Sequence, residues 1–199
     1  MTTVSGSSIS GAGVLFAAMM MFGSGTWASV LTGWTTVGSG GTVDEDSSSI
    51  VELIGPYVRL KTNCLLGIIG IRRGCSVANG TVAIRYNIVP TGSLNVIPPT
   101  NLPVYTFSAR FLDTGPTQRV LLYLKEVNLQ SGNENFLLTF DSDSFSESTS
   151  YQTQKGPRPC QFTMNFDENA YYVDARISNS NGSPSPGVEA IWIVRCATL

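Results

Sequence analysis

From Ile50 onward, apolar and polar positions alternate over short runs, and each run stops at a cluster of turn residues. The clearest run is Thr81–Val89, where Val82, Ile84, Tyr86 and Ile88 fall on one face of a period-2 pattern, as a half-buried strand requires. Arg119–Leu129 sets Val120, Leu122 and Leu124 against Arg119 and Lys125, and Gln161–Phe166 places Phe162, Met164 and Phe166 together. Val51–Leu60, Leu65–Ile71, Val104–Leu112, Phe136–Phe140, Tyr171–Ile177 and Val188–Cys196 read as further strands. Asp113-Thr114-Gly115-Pro116, Ser131-Gly132-Asn133 and Asp167-Glu168-Asn169 supply turn chemistry between them. Eight or nine strands, with no amphipathic helix and no internal repeat, predict an all-β domain. The expected architecture is an antiparallel β-sandwich, jelly-roll-like, over residues 44–199.

Residues 1–43 differ, because they contain no charged side chain. Val14 to Phe22 is a continuous apolar run bracketed by glycines, far short of the roughly 20 residues a membrane-spanning helix needs. Val14, Leu15, Phe16, Met19, Met20 and Phe22 are read as an assembly arm that buries itself on its own domain or on a neighbouring copy. A signal-like segment is the first alternative: the apolar length fits, and Thr26 and Ala28 supply small residues, but no Lys or Arg precedes the run. Membrane contact by the segment is the second alternative. Gly33 to Gly41 reads as a flexible link.

Composition narrows the function. Charged residues are only 13%, with 12 basic against 14 acidic and a net charge of −2. That supply cannot build a phosphate-binding surface, so nucleic acid is excluded as the main partner. The absence of histidine removes His-based general acid–base chemistry and the Ser–His and Cys–His nucleophile pairs. No cofactor is implied. Surface polarity comes instead from Ser, Thr and Asn, a composition that suits copies packed side by side.

Three constellations could carry chemistry. Asp141, Asp143 and Glu147 alternate with serines and are a weak calcium candidate, without the glycine and terminal Glu of an EF-hand loop. Among Asp113, Glu126, Asp167, Asp174 and Glu189, two could form a glycosidase pair if a cleft brought them together. Asp174 and Glu189 stand out because they lie within strands. Tyr105, Phe107, Tyr123, Tyr151, Tyr171, Tyr172 and Trp192 could stack on sugars, although core packing explains most of them. Tyr171 and Tyr172 must face opposite sides of one strand, which leaves one of them exposed or at an interface.

Cys64, Cys75, Cys160 and Cys196 make an even set with no Cys-x-x-Cys spacing, which disfavours a zinc site. Four cysteines allow three pairings. Chain order favours Cys64–Cys75, across a glycine-rich fold-back, and Cys160–Cys196, at the ends of two strands taken as neighbours. Four buried thiols are the alternative.

The stretch Arg119–Leu129, with Leu137-Leu138-Thr139-Phe140-Asp141-Ser142, Ser150-Tyr151-Gln152-Thr153 and Asn169-Ala170-Tyr171-Tyr172-Val173, resembles a pattern in uncharacterised exported bacterial β-rich proteins. The resemblance implies a β-rich extracellular protein and no particular chemistry. The sequence therefore leads to a non-enzymatic extracellular or cell-surface structural protein, a self-associating β-sandwich subunit forming a homo-oligomer or larger assembly. A carbohydrate-binding or adhesive module, partnered by a glycan or a cell surface, is the alternative. A viral jelly-roll coat subunit is a third reading.

Overall fold

The structure is a computed structural model that describes residues 33–66, 72–90, 104–180 and 184–196. The expected assembly arm, Val14 to Phe22, lies outside the described residues. The described strands are β1 (Gly33–Val37), β2 (Thr42–Val43), β3 (Val51–Ile54), β4 (Tyr57–Leu60), β5 (Thr62–Leu66), β6 (Arg72–Val77) and β7 (Gly80–Ile88). They continue with β8 (Val104–Leu112), β9 (Gln118–Asn128), β10 (Glu134–Asp141), β11 (Gln152–Lys155), β12 (Phe162–Thr163), β13 (Asn169–Asn179) and β14 (Gly187–Arg195). No helix among the described residues is long and apolar enough to cross a membrane.

Two antiparallel sheets face each other, as the alternation requires. One runs β10-β9-β13-β7-β2; the other runs β11-β8-β14-β4-β3, with β1 also on β14 and β12 also on β8. β5 and β6 form a separate hairpin. Inward positions of the first sheet (Ile84, Tyr86, Leu122, Leu124, Phe140, Val173, Ile177) and of the second (Val58, Leu60, Tyr105, Phe107, Phe111, Ile193) build one core, each no more than 2% exposed. Phe140 joins the layers: its ring centroid is 5.3 Å from that of Phe111 and 6.1 Å from that of Phe107. The architecture is the expected antiparallel β-sandwich.

Several local expectations change. Val51–Leu60 is not one strand but a hairpin, because Gly55 turns the chain at φ +55° between β3 and β4. The Gly33–Gly41 stretch is not a flexible link. It supplies β1, whose Trp34 lies opposite Ile193 and is 8% exposed. A Cβ at Gly33 would overlap the Ile193 carbonyl oxygen, and one at Gly38 the Val188 carbonyl oxygen. These glycines permit close backbone approach rather than mobility. β11 is polar along its whole length and sits at a sheet edge, where alternation gives no signal.

Candidate functional site

The outer face of the five-stranded sheet is assembled by the same alternation that builds the core. With Leu122 and Leu124 inward on β9, Tyr123 and Lys125 must point out. On β13, Val173 and Ala175 turn inward and Tyr172, Asp174 and Arg176 turn out. β7 contributes Arg85 and Asn87 between the buried Ile84, Tyr86 and Ile88. Register brings these residues together: Tyr172 lies opposite Lys125, Asp174 opposite Tyr123, and Arg85 opposite Asp174.

Phe136 joins them through an irregularity. Strict alternation would place Phe136, Leu138 and Phe140 on one face. A bulge between Phe136 and Leu138 inserts Leu137 and turns Phe136 outward, opposite Lys125. Its ring is 63% exposed. It meets Tyr123 edge to face, with centroids 5.7 Å apart and planes at 79°.

Lys125 occupies the centre of this face and is 8% exposed. Its Nζ lies 2.8 Å from Glu134 Oε1, 3.4 Å from Asp174 Oδ2, and 4.7 Å from the Phe136 ring centroid. Burial works against the ammonium, but the hydrogen bond to Glu134 and the charge of Asp174 prevail and raise its pKa above the usual value. The same contact holds the Glu134 carboxyl below the usual carboxylate range. The Tyr172 hydroxyl also donates to Glu134. Burial, then that carboxylate, push the phenol upward.

Two guanidinium groups lie on tyrosine rings. Arg85 Cζ is 4.4 Å from the Tyr172 centroid, and Arg176 Cζ is 5.5 Å from that of Tyr123. Both arginines border a shallow depression of ≈ 820 Å³ with Asn87, Thr81 and Asp174. The face thus offers an exposed phenyl ring, fixed cationic groups and several hydrogen-bonding side chains on a sheet backed by a packed core. Such a surface can stack on a ring and hydrogen-bond to hydroxyls.

The residues singled out in the sequence are dispersed. Asp141 and Asp143 both pair with Arg119, at 2.9 Å for Nε to Asp141 Oδ1 and 3.1 Å for Nε to Asp143 Oδ2. Arg119 lowers the Asp141 pKa, while burial and the neighbouring Asp141 raise that of Asp143. Glu147 lies across a separate depression of ≈ 250 Å³ from Asp143, and no group of three metal-ligating side chains forms among the described residues. Asp174 and Glu189 lie on different sheets, the first paired with Lys125 and the second with Arg110, so they do not form a catalytic pair. Asp113 is 5% exposed and accepts from Ser142 Oγ and from the Gly115 N–H at 3.0 Å, a strand-end support. Glu126 accepts from Asn135 Nδ2, and Asp167 stands exposed at a turn. Tyr105, Phe107 and Tyr171 are core residues. Tyr151 packs on Tyr57 with centroids 4.9 Å apart, and Trp192 is half-buried on β14. The Tyr171–Tyr172 pair does split between faces, yet both rings are buried, because Arg85 and Lys125 cover Tyr172.

Cys160 and Cys196 are bonded, with Cα atoms 5.7 Å apart. The pairing is as expected but its route is not: β8 lies between β12 and β14, so the bond passes over β8. The Thr106 hydroxyl lies 3.3 and 3.2 Å from the two sulfurs. Cys64 lies directly opposite Cys75 in the β5–β6 hairpin.

No protein-family model matches the chain, and no curated protein matches it. Similar solved structures include the Podospora anserina GH26-CBM35 β-(1,4)-mannanase, 13% identical with a TM-score of 0.39 over 85% of this chain. The CBM22-1–GH10 modules of Clostridium thermocellum endo-1,4-β-D-xylanase 10B, complexed with xylohexaose, are 10% identical with a TM-score of 0.39 over 84% of this chain. The chain spans only 29% and 28% of those two proteins. The C-terminal family 22 carbohydrate-binding module of the same xylanase is 14% identical with a TM-score of 0.35, over 82% of this chain and 99% of that module. At scores this low the likeness carries no argument about what this chain binds.

Proposed function

We propose that this protein is a non-catalytic extracellular module that binds carbohydrate on the outer face of its five-stranded sheet. The observation that carries the reading is the Phe136–Tyr123 pair, a largely exposed ring braced edge to face. Leaving a phenyl ring in water forfeits roughly 1.5–3 kcal/mol of burial, which a stacked sugar ring restores. Arg85, Asn87 and Asp174 lie on the adjoining strands as donors and acceptors for hydroxyls. The Cys160–Cys196 bond fits an oxidising compartment, and so does the resemblance to exported bacterial proteins. Asp174 and Glu189, the strand carboxylates best suited to hydrolysis, are tied to separate partners, which favours binding over catalysis.

The competing reading is a self-associating structural subunit. It draws on edge strand β3, whose Leu53 and Ile54 are 50% and 43% exposed. Affinity electrophoresis of the full chain through gels containing soluble polysaccharides tests the first reading, with size-exclusion chromatography over a concentration series alongside. Retardation by a polysaccharide, lost in Phe136→Ala, is expected. Migration unaffected by every polysaccharide, combined with concentration-dependent association, would transfer the function to the subunit reading.

A further inference from the structure

Arg85 and Arg176 are the two basic side chains that border the depression on the outer face of the five-stranded sheet. Among the described residues Arg59 pairs with Glu52, Arg110 with Glu189, Arg119 with Asp141 and Asp143, and Lys125 with Glu134 and Asp174. Among the described residues Arg85 and Arg176, like Lys61, Lys155, Arg158 and Arg195, have no carboxylate within ion-pair distance. Arg85 lies opposite Asp174 and Arg176 opposite Ala83, so the two are diagonal neighbours on adjacent strands. That relation sets their backbones about 7–8 Å apart. Each guanidinium carbon lies over a tyrosine ring, and both arginines are exposed.

We propose that Arg85 and Arg176 receive an anionic substituent, a carboxylate or sulfate, on the bound glycan, so that the ligand is an acidic polysaccharide. This rests on the glycan-binding reading of the same face. A guanidinium fork matches a planar carboxylate or a tetrahedral oxyanion with two parallel N–H donors. The ring contact restrains each side chain before binding, which reduces the ordering cost. The acidic groups nearby do not cancel the attraction. Glu134, which feels the charge of Arg85, and Asp174 are both engaged by Lys125, and Asp44 and Glu45 stand exposed at the β2 rim, where water screens them. The chain as a whole carries a net charge of −2, so attraction of a polyanion has to be local rather than global. Thr81 and Asn87 remain available to the sugar hydroxyls beside the anion.

The test uses the full chain against polygalacturonate, its carboxyl-reduced neutral counterpart, and a sulfated galactan, by affinity electrophoresis and calorimetry. Binding to at least one charged polymer should exceed that to the neutral polymer by roughly tenfold or more, the size of one charge-assisted contact. The two charged polymers distinguish carboxylate from sulfate. Arg85→Gln/Arg176→Gln should abolish the preference, whereas Lys61→Gln/Lys155→Gln, which removes the same charge from exposed sites elsewhere, should retain it. Equal affinity for neutral and charged polymers, still lost in Phe136→Ala, would overturn the acidic assignment and keep the glycan site. A preference lost equally in both double variants would overturn it too, by showing only a net-charge effect. No retention by any of the polymers would overturn the acidic assignment and count against the glycan reading as well.

Discussion

Replacing Lys125 by Met tests whether the outer face is held together by its central ammonium. Met keeps the unbranched stem and its packing, but deletes the charge. Two losses dominate. Asp174, whose side chain is 14% exposed, is left without its cation at 3.4 Å, a loss of about 1–3 kcal/mol for a largely buried charged group. The cation–π contacts to Phe136 and Tyr172, at 4.7 and 5.6 Å, are worth about 0.5–1 kcal/mol each. The thioether recovers part of this against the rings. The expected net loss is therefore about 2–3 kcal/mol, with the contact to the water-exposed Glu134 left out of the sum. Urea unfolding at neutral pH should show a lower midpoint at unchanged slope. The pH dependence is a second check. Lys125 has a raised pKa in the fold, so its contribution is complete below the usual 10.5 and is lost as pH rises through the raised value. Glu134 has a lowered pKa, so its share is present above the usual 4.5 and is lost as pH falls through the lowered value. The difference between wild type and variant should be flat from about pH 5.5 to 9.5 and shrink at either extreme. A variant within about 0.5 kcal/mol of wild type at pH 7 would refute the reasoning.

Two further outcomes follow from the core and the cysteines. Phe140→Ala removes a fully buried ring that joins both sheets and should cost about 3–5 kcal/mol in urea unfolding; a loss below about 1.5 kcal/mol would mean that the layers are not joined there. A non-reducing peptide map should link Cys160 to Cys196 and Cys64 to Cys75. Cys160→Ser/Cys196→Ser should lower stability by about 3–4 kcal/mol, the chain-entropy value for a separation of 36 residues, and a map joining Cys64 to Cys160 or Cys196 would contradict the strand arrangement.

What was legible in the sequence follows from what alternation encodes. Thr81–Val89 and Val104–Leu112 match β7 and β8 closely, because a strand buried on one or both faces must display its apolar positions. β11 was invisible for the opposite reason: Gln152–Lys155 pairs through its backbone along an edge and buries little. The outer-face site was half legible. Tyr123, Lys125 and Tyr172 fall on the face opposite the core by simple counting. Phe136 did not, because its outward direction depends on a bulge at Leu137, and three consecutive apolar residues carry no mark of which one is extra. Arg85 and Arg176 could be placed outward, but their adjacency depends on β7 pairing with β13, which are separated by most of the domain in sequence. The glycines of Gly33–Gly41 misled because glycine serves both mobility and close approach, and only the Ile193 and Val188 carbonyl oxygens beside them decide which.

On the proposed reading, the face divides into groups that brace it and groups that would meet a glycan. Lys125 and Glu134 brace the surface: the ammonium touches two rings and two carboxylates, and Glu134 also accepts from Tyr172. Tyr172 in turn carries Arg85 on its ring, and Tyr123 carries Arg176. The order of support therefore runs from the packed core, through Lys125 and the two tyrosines, to the exposed phenyl ring and the two guanidinium edges. A loss at Lys125 reaches a ligand only through the orientation of these outer groups, and so should weaken binding together with stability. On the proposed reading, a loss at Arg85, Arg176 or Phe136 removes a contact with the glycan and costs the sandwich only surface ring contacts, about 0.5–1 kcal/mol each. The two classes of variant should therefore differ in the ratio of lost affinity to lost stability.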